Sequence, residues 1–355
     1  MSVGKSLGMV LIWQGRIRRI QVHLFTAFAI ALVVAGSGAS PRTPETAAPT
    51  IKEIDKAWTS RLRQLGTFIY KIHLIDQTAI NGNRRSNDPF EPLGPTIPNR
   101  YATVEKDIEI KRDGAKIWTS VEGKHWDTDT AEAFDQARLS TFDGNVYRDL
   151  ITSSRAPFGL GHFGKEGTKA EQLSLSLYEA PVLWWCDPKS RMSSFGQNLD
   201  NVRITDDDVT YLEHSCVELQ MIQDAVVRAS IIVTKASPYL PLKVTTYSRR
   251  GAVADTNEFR YIRDNSGVER IASWSVISYL QNAVRRKQKG NVTQFIRGAS
   301  FGDDDFRLRF PIGTNIIEYT PSGSRFWIQS TADEMQPLKA ADYGRLPKPI
   351  GGPAS

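Results

Sequence analysis

The first clear periodicity in the chain starts at Ile51. Ile51, Ile54, Trp58, Leu62 and Leu65 recur at spacings of 3, 4, 4 and 3 and stop before Gly66, which is the stripe of an amphipathic helix. Thr50-Ile51-Lys52-Glu53 has the spacing of a capping box, so a helix is predicted over 51–65. From Phe68 the period falls to two, with Phe68, Tyr70, Ile72 and Leu74 on one side and Lys71 and His73 on the other, the alternation of a half-buried strand. It resumes at Ala102, Val104, Ile108 and Ile110 against Thr103, Glu105, Asp107, Glu109 and Lys111. Asp113-Gly114 is a two-residue hairpin signal that returns the chain along Lys116 to Val121. Asp143-Gly144 predicts a second hairpin, between strands near 138–142 and 145–150. Further strands are expected at 203–205, 209–220, 227–235, 242–249, 257–263, 268–279 and 291–300. About ten strands joined by short turns, with one helix whose apolar stripe must lie on them, predict an α+β fold built on a large antiparallel meander.

The intervals between these elements are as informative. Residues 77–100 hold Asn81-Gly82, three arginines and four prolines and read as a long loop. The stretch 151–200 is irregular: a Gly-rich loop at 159–167, read as flexible and lid-like, then an apolar run from Leu173 to Cys186 and a polar stretch. At the N-terminus, Arg16, Arg18 and Arg19 precede the 22 uncharged residues Ile20 to Pro41, and Ser37-Gly38-Ala39 supplies the small residues of a cleavage site. That order predicts a secretory signal peptide cut after Ala39, hence a periplasmic or otherwise exported protein. The alternative is an uncleaved anchor, since 22 uncharged residues could just span a bilayer. The Met9 start is a second alternative for the leader. The expected organisation is a signal peptide over 1–39, a Pro/Thr/Ala-rich flexible tether over 40–50, one domain over 51–335 and a frayed Pro/Gly-rich tail over 336–355.

Charge changes the picture by elimination. The pI near 9.2 and net charge of +6 suggest a polyanion partner. Residues 1–39, however, contribute Lys5, Arg16, Arg18 and Arg19 and no acid, leaving 41 basic against 39 acidic residues. The mature chain therefore carries no overall electrostatic argument for nucleic acid. With 40% hydrophobic and 24% charged residues the composition is that of an ordinary folded protein. Cys186 and Cys216, the two cysteines, can pair in an exported compartment, or remain two buried thiols. They are too few for a structural zinc site.

No motif brings a catalytic centre with it. Gly159-Leu160-Gly161-His162-Phe163-Gly164 matches G-x-G-x-x-G, but nucleotide binding needs a strand before it and a helix after it. Here Arg155-Ala156-Pro157 precedes and Lys165-Glu166-Gly167 follows. The triplets Asp206-Asp207-Asp208 and Asp303-Asp304-Asp305 lack the spacing of a calcium loop. His73, His125, His162 and His214 are scattered, with no metal-binding pair, and there is no G-x-S-x-G elbow. No cofactor or metal is expected. Trp118, Trp126, Trp184, Trp185, Trp274 and Trp327 lie in or beside predicted strands, where aromatics build cores or line apolar cavities. Leu183-Trp184-Trp185 is the most apolar local cluster. Trp118, Leu183, Trp184, Trp185 and Trp274 are therefore the candidate walls of a ligand cavity, entered near 159–167.

Two segments carry a family resemblance. Ser237-Pro238-Tyr239-Leu240-Pro241-Leu242-Lys243, between two strands, resembles the strand-to-strand turn of exported LolA-like proteins. Phe306-Arg307-Leu308-Arg309-Phe310-Pro311-Ile312-Gly313-Thr314, with Glu318 beyond it, is similar to their closing F-x-L-x-F-P-x-G-T segment. The chain thus resembles the periplasmic lipoprotein-carrier superfamily typified by LolA and LolB, over about residues 50–330 in organisation and over these two stretches in motif. The resemblance implies an unclosed barrel covered by helices, with an apolar cavity for acyl chains, and non-enzymatic carriage or sensing of lipid or lipoprotein acyl chains. Membrane-surface contact belongs to the same picture. The rival expectations are an envelope protein-interaction module with a filled core, and an enzyme with an unrecognised site.

Overall fold

The structure, a computed structural model, describes residues 48–80, 101–127, 130, 132–165, 199–280 and 282–338. The predicted signal peptide, most of the tether, most of the proline-rich loop, the apolar run with Leu183, Trp184, Trp185 and Cys186, and the tail beyond 338 lie outside the described residues.

Helix α1 (Ile51–Leu65) forms where the spacing places it. The Thr50 hydroxyl accepts from the Glu53 backbone N–H at 3.3 Å, and the Glu53 carboxylate accepts from the Thr50 N–H at 2.7 Å. Both sides of the capping box are therefore closed. Ile54, Trp58 and Leu65 on its apolar stripe are buried.

The strands are β1 (Phe68–Ala79), β2 (Tyr101–Asp113), β3 (Lys116–Asp127), β4 (Glu132–Phe142), β5 (Val146–Ser153), β6 (Ala156–Lys165), β7 (Val202–Tyr211), β8 (His214–Gln223), β9 (Val226–Thr234), β10 (Pro241–Tyr247), β11 (Val253–Arg263), β12 (Glu269–Leu280), β13 (Ala283–Arg297), β14 (Asn315–Thr320), β15 (Gly323–Gln329) and β16 (Met335–Pro337). They form one unclosed sheet in the order β16-β15-β14-β6-β5-β4-β3-β2-β1-β13-β12-β11-β10-β9-β8-β7. The α+β expectation of a large antiparallel sheet under an N-terminal helix holds.

Three details of the sequence reading are corrected. Among the described residues the strands number sixteen rather than about ten, partly because the stretch 209–220 breaks at Leu212-Glu213. Those residues take φ 48° and 66°, the doubly left-handed pair of a tight hairpin turn, with no glycine or asparagine to announce it. The sheet is also two meanders rather than one. β1 to β6 run outward from β1, while β7 starts at the opposite edge and the chain returns to pair β13 with β1. β14 then lies parallel to β6.

The third correction concerns the expected flexible loop at 159–167, of which Gly159 to Lys165 belong to β6. A Cβ on Gly161 would sit 2.7 Å from the Phe310 ring, and one on Gly159 would sit 2.9 Å from Leu150 Cδ1. Glycine is there to admit close packing within a strand, not to loosen it.

Alternation gives the sheet two faces. The inner face, on which α1 packs, carries Phe68, Tyr70, Ile72 and Leu74 of β1, Ile108 and Ile110 of β2, Val121 of β3 and Trp274 of β12 in one buried cluster with Ile54, Trp58 and Leu65. Trp58 Nε1 donates to the Tyr239 carbonyl in the β9–β10 connection at 2.8 Å, and Arg61 Nη2 donates to the Glu269 carbonyl at the start of β12 at 2.8 Å. These bonds fix α1 toward the end of the sheet that carries those two points. The β8–β9, β10–β11 and β12–β13 turns lie at the other end, called the far end below. The closing segment crosses the outer face, where Phe310 joins Leu150 and Ile316 in a second cluster.

Candidate functional site

The apolar inner face ends in charge. On β1 the inward series Phe68, Tyr70, Ile72, Leu74 is continued at the far end by Asp76, and on β2 Lys106 interrupts Val104 and Ile108. Arg286 and Gln288 of β13 face the same way, Gln288 standing opposite Asp76. Asp76 is 2% exposed and Lys106 5%. Lys106 Nζ lies 3.3 Å from Asp76 Oδ2, and Arg286 grips the same carboxylate with two hydrogen bonds, Nε to Oδ1 at 2.8 Å and Nη2 to Oδ2.

Burial alone would raise the Asp76 carboxyl, but Arg286 and then Lys106 outweigh it and hold it below its ordinary value. His125, inward-facing on β3, is held below the usual imidazole range by burial and then by the Lys106 and Arg286 charges. Its neutral form is favoured beside two cations. Gln288, 7% exposed, has its Nε2 donor without a hydrogen-bond partner, and an orphaned buried donor is costly to keep. The backbone closes tightly here: Gly123 takes φ 145°, and a Cβ on it would lie 2.4 Å from the Glu105 carbonyl oxygen. The cluster is therefore a buried, donor-rich polar end to an apolar surface.

The inner face of β3 to β6 holds a second polar group. Asp149, fully buried, accepts from Ser140 Oγ at 2.6 Å and Arg138 Nε at 2.7 Å and lies 3.3 Å from His162 Nδ1. Burial pushes its carboxyl up, but the bonds to His162, Arg138 and Ser140 prevail and hold it down. The residue types are those of a hydrolase triad, yet the order is wrong for one. Ser140 donates to the aspartate rather than to the imidazole, so the imidazole is not placed to take its proton as it is in such a triad. The His162 ring stacks on Tyr319 at an interplanar angle of 16°. The arrangement ties β4, β5, β6 and β14 together.

The tryptophans expected to wall one cavity are not brought together. Trp274 is buried in the inner cluster against Gly290, where a Cβ would be 2.3 Å from its ring. Trp118 pairs with Lys111 on the outer face, the Lys111 ammonium 4.4 Å from its ring centroid. Leu183, Trp184 and Trp185 lie outside the described residues. A cleft of about 340 Å³ does touch the 159–165 segment, on the outer face, lined by Phe163, Leu308, Phe310, Met335, Arg148 and Arg309 among others and by none of those tryptophans. Cys216 is a fully buried free thiol, its Sγ 3.4 Å from the His214 carbonyl, and burial pushes it up from its ordinary value. Its expected partner Cys186 lies outside the described residues.

Asp76, Lys106, Arg286 and Gln288 were not singled out from sequence. Their signal was parity: Asp76 and Lys106 are charged residues at positions that the strand alternation assigns to the buried face. Among the described residues no group of three or more metal-ligating side chains comes together, and no helix is long and apolar enough to cross a membrane.

No protein-family model matches the chain, and no curated protein does. Among solved structures it is similar to a putative outer membrane lipoprotein-sorting protein domain from Vibrio parahaemolyticus, at 14% identity and a TM-score of 0.43 over 72% of this chain and 95% of that one. A DUF1329 family protein from Desulfovibrio piger overlaps at 10% identity and a TM-score of 0.42, over 72% and 97%. A LolA superfamily protein from Nitrosomonas europaea overlaps at 12% identity and a TM-score of 0.38, over 74% and 99%. The chain itself forms an unclosed, almost wholly antiparallel sheet with its N-terminal helix packed on one face.

Proposed function

We propose that the protein is a non-enzymatic carrier or sensor of lipid or lipoprotein acyl chains, acting outside the cytoplasm after removal of its leader. The observation that carries this reading is the change along the inner face from apolar side chains to the buried Asp76, Lys106, Arg286 and Gln288 group. An amphiphile has the same polarity profile. Its chain would lie toward Leu74 and Ile108, each methylene contributing about 0.8 kcal/mol, and its polar head would accept from Gln288 Nε2 and from the cations. Leu183, Trp184 and Trp185 would add apolar wall. The expected result is co-purifying lipid in native mass spectra of protein taken from its own envelope, and saturable uptake of a fluorescent fatty acid by delipidated protein. Arg286→Gln is expected to weaken that uptake about tenfold, the loss of one charge-assisted hydrogen bond. Absence of saturable uptake sinks the reading.

One observation favours the second reading, an envelope interaction module. Ile54, Trp58 and Leu65 of α1 fill the inner face at 0–1% exposure, as the core of a surface-docking domain would. A fatty-acid-blind protein that pulls down one stoichiometric envelope partner would support it.

A further inference from the structure

The outer surface of the far end has a composition that the inner face does not explain. Because Arg286, Gln288 and Gly290 of β13 point inward, Lys287 and Lys289 point outward, and they are exposed together with Arg285, the extra residue of a bulge opposite Ser278 and Tyr279. Arg249 and Arg250, exposed in the β10–β11 turn, lie at the same end. Among the described residues none of these five cations has an ion-pair partner, and the Lys287 ammonium sits 5.2 Å from the Tyr101 ring centroid. The outer-face carboxylate in line with Lys289 is Glu105, two strands away across Ile75, about 10 Å at ordinary strand spacing. Asp255 is turned to the inner face, where it accepts from Thr246, and Asp224 belongs to the β8–β9 turn.

Uncovered apolar side chains stand at the tips of the same end. Leu280, at the tip of the β12–β13 hairpin, is 48% exposed, and Val253, where β11 begins, is 37% exposed. An apolar tip beside a cluster of unpaired cations and a half-exposed tyrosine is the arrangement of an interfacial anchor. The apolar groups enter the headgroup region and the cations meet lipid phosphates. A soluble polyanion would use the cations and leave Leu280 and Val253 in water.

We infer that the far end of the sheet, centred on the β12–β13 hairpin, docks on an anionic lipid bilayer through Leu280, Arg285, Lys287 and Lys289. Docking there brings the membrane to the end of the sheet where the Asp76 group lies, yet it stands independently of the cargo reading, because it needs no bound lipid inside the protein.

The test is sedimentation of the full chain with vesicles of phosphatidylcholine alone or with 30% phosphatidylglycerol added. Wild type and variants are compared throughout, so that any contribution of the leader is common to all. Each of these cations supports roughly a fivefold step at low salt. The Arg285→Gln, Lys287→Gln, Lys289→Gln triple variant is therefore expected to lose on the order of 100-fold or more of the binding gained with phosphatidylglycerol. Arg285→Lys with Lys287→Arg and Lys289→Arg keeps the charge and is expected to bind as wild type. Leu280→Ser is expected to weaken binding several-fold to both kinds of vesicle. Equal partition of wild type and the glutamine variant overturns the proposal. So does loss of binding in the charge-conserving variant. Full competition by soluble polyglutamate with no effect of Leu280→Ser also overturns it, since the surface would then be a polyanion site. Fatty-acid uptake measured on the same variants fails or survives separately.

Discussion

Under α1 the inner face of the sheet is filled by Phe68, Tyr70, Ile72, Trp274 and the helix residues Ile54, Trp58 and Leu65. On β3 to β6 the same face presents Thr119, Ser140, Arg138, Asp149 and His162. Both regions exclude water, but they do so under different physics. The first gains from apolar area and shape, which are indifferent to pH. The second depends on hydrogen bonds that satisfy one buried carboxylate, and a partly satisfied network is worse than an apolar core. A polar atom remains unpaired there: Thr119 Oγ1 is buried without a partner. A sheet can thus be held by packing at one place and by a charge network a few strands away.

Substitutions should separate the two. Trp58→Ala removes a fully buried ring and orphans the Tyr239 carbonyl, and is expected to cost about 3–5 kcal/mol in chemical denaturation. Asp149→Asn keeps the shape but leaves Arg138 facing a neutral group, with an expected loss of roughly 3 kcal/mol. A loss below about 1 kcal/mol would show that the network is not holding β4 to β6 together.

The pH response sharpens the contrast. Asp149 and Asp76 have folded-state pKa values below the ordinary carboxylate value. Their contribution is therefore present above the unfolded value near 4 and is lost as pH falls through the folded values. Denaturation midpoints measured from pH 5 to pH 3 should fall for wild type and equally steeply for Trp58→Ala, and less steeply for Asp149→Asn. A parallel fall in all three would remove Asp149 as a source of the acid sensitivity.

Smaller effects test the joints between elements. Gly161→Ala drives a methyl group against Phe310 and is expected to cost about 1–3 kcal/mol, whereas a tolerant site would restore the flexible-loop reading of 159–167. Thr50→Ala opens the capping box of α1 and should cost about 1 kcal/mol, visible as a small drop in thermal midpoint with no change in acid response.

Much of the fold was legible because its signals are local. The 51–65 helix announced itself through its spacing and Thr50, and the hairpin after β2 through Asp113-Gly114. The turns at Leu212-Glu213 and Asp224-Ala225 were not legible, since neither pair contains a glycine or asparagine and their left-handed backbone is imposed by the strands they join. The candidate site was half legible. Asp76 and Lys106 could be placed on the buried face by parity, but Arg286 lies 210 residues from Asp76, and no pattern along β1 points to it.

The sequence by itself determined the class of the fold, the position of the helix and the faces of most strands, because periodicity and capping act over a few residues. Tertiary structure alone decided that β13 pairs with β1 and that β14 runs parallel to β6. It also placed Trp118 and Trp274 on opposite faces and gathered Asp76, Lys106, Arg286 and Gln288 at one end. Those are choices of long-range register. They depend on which faces can be buried together across the whole sheet, a quantity that no short window of residues contains.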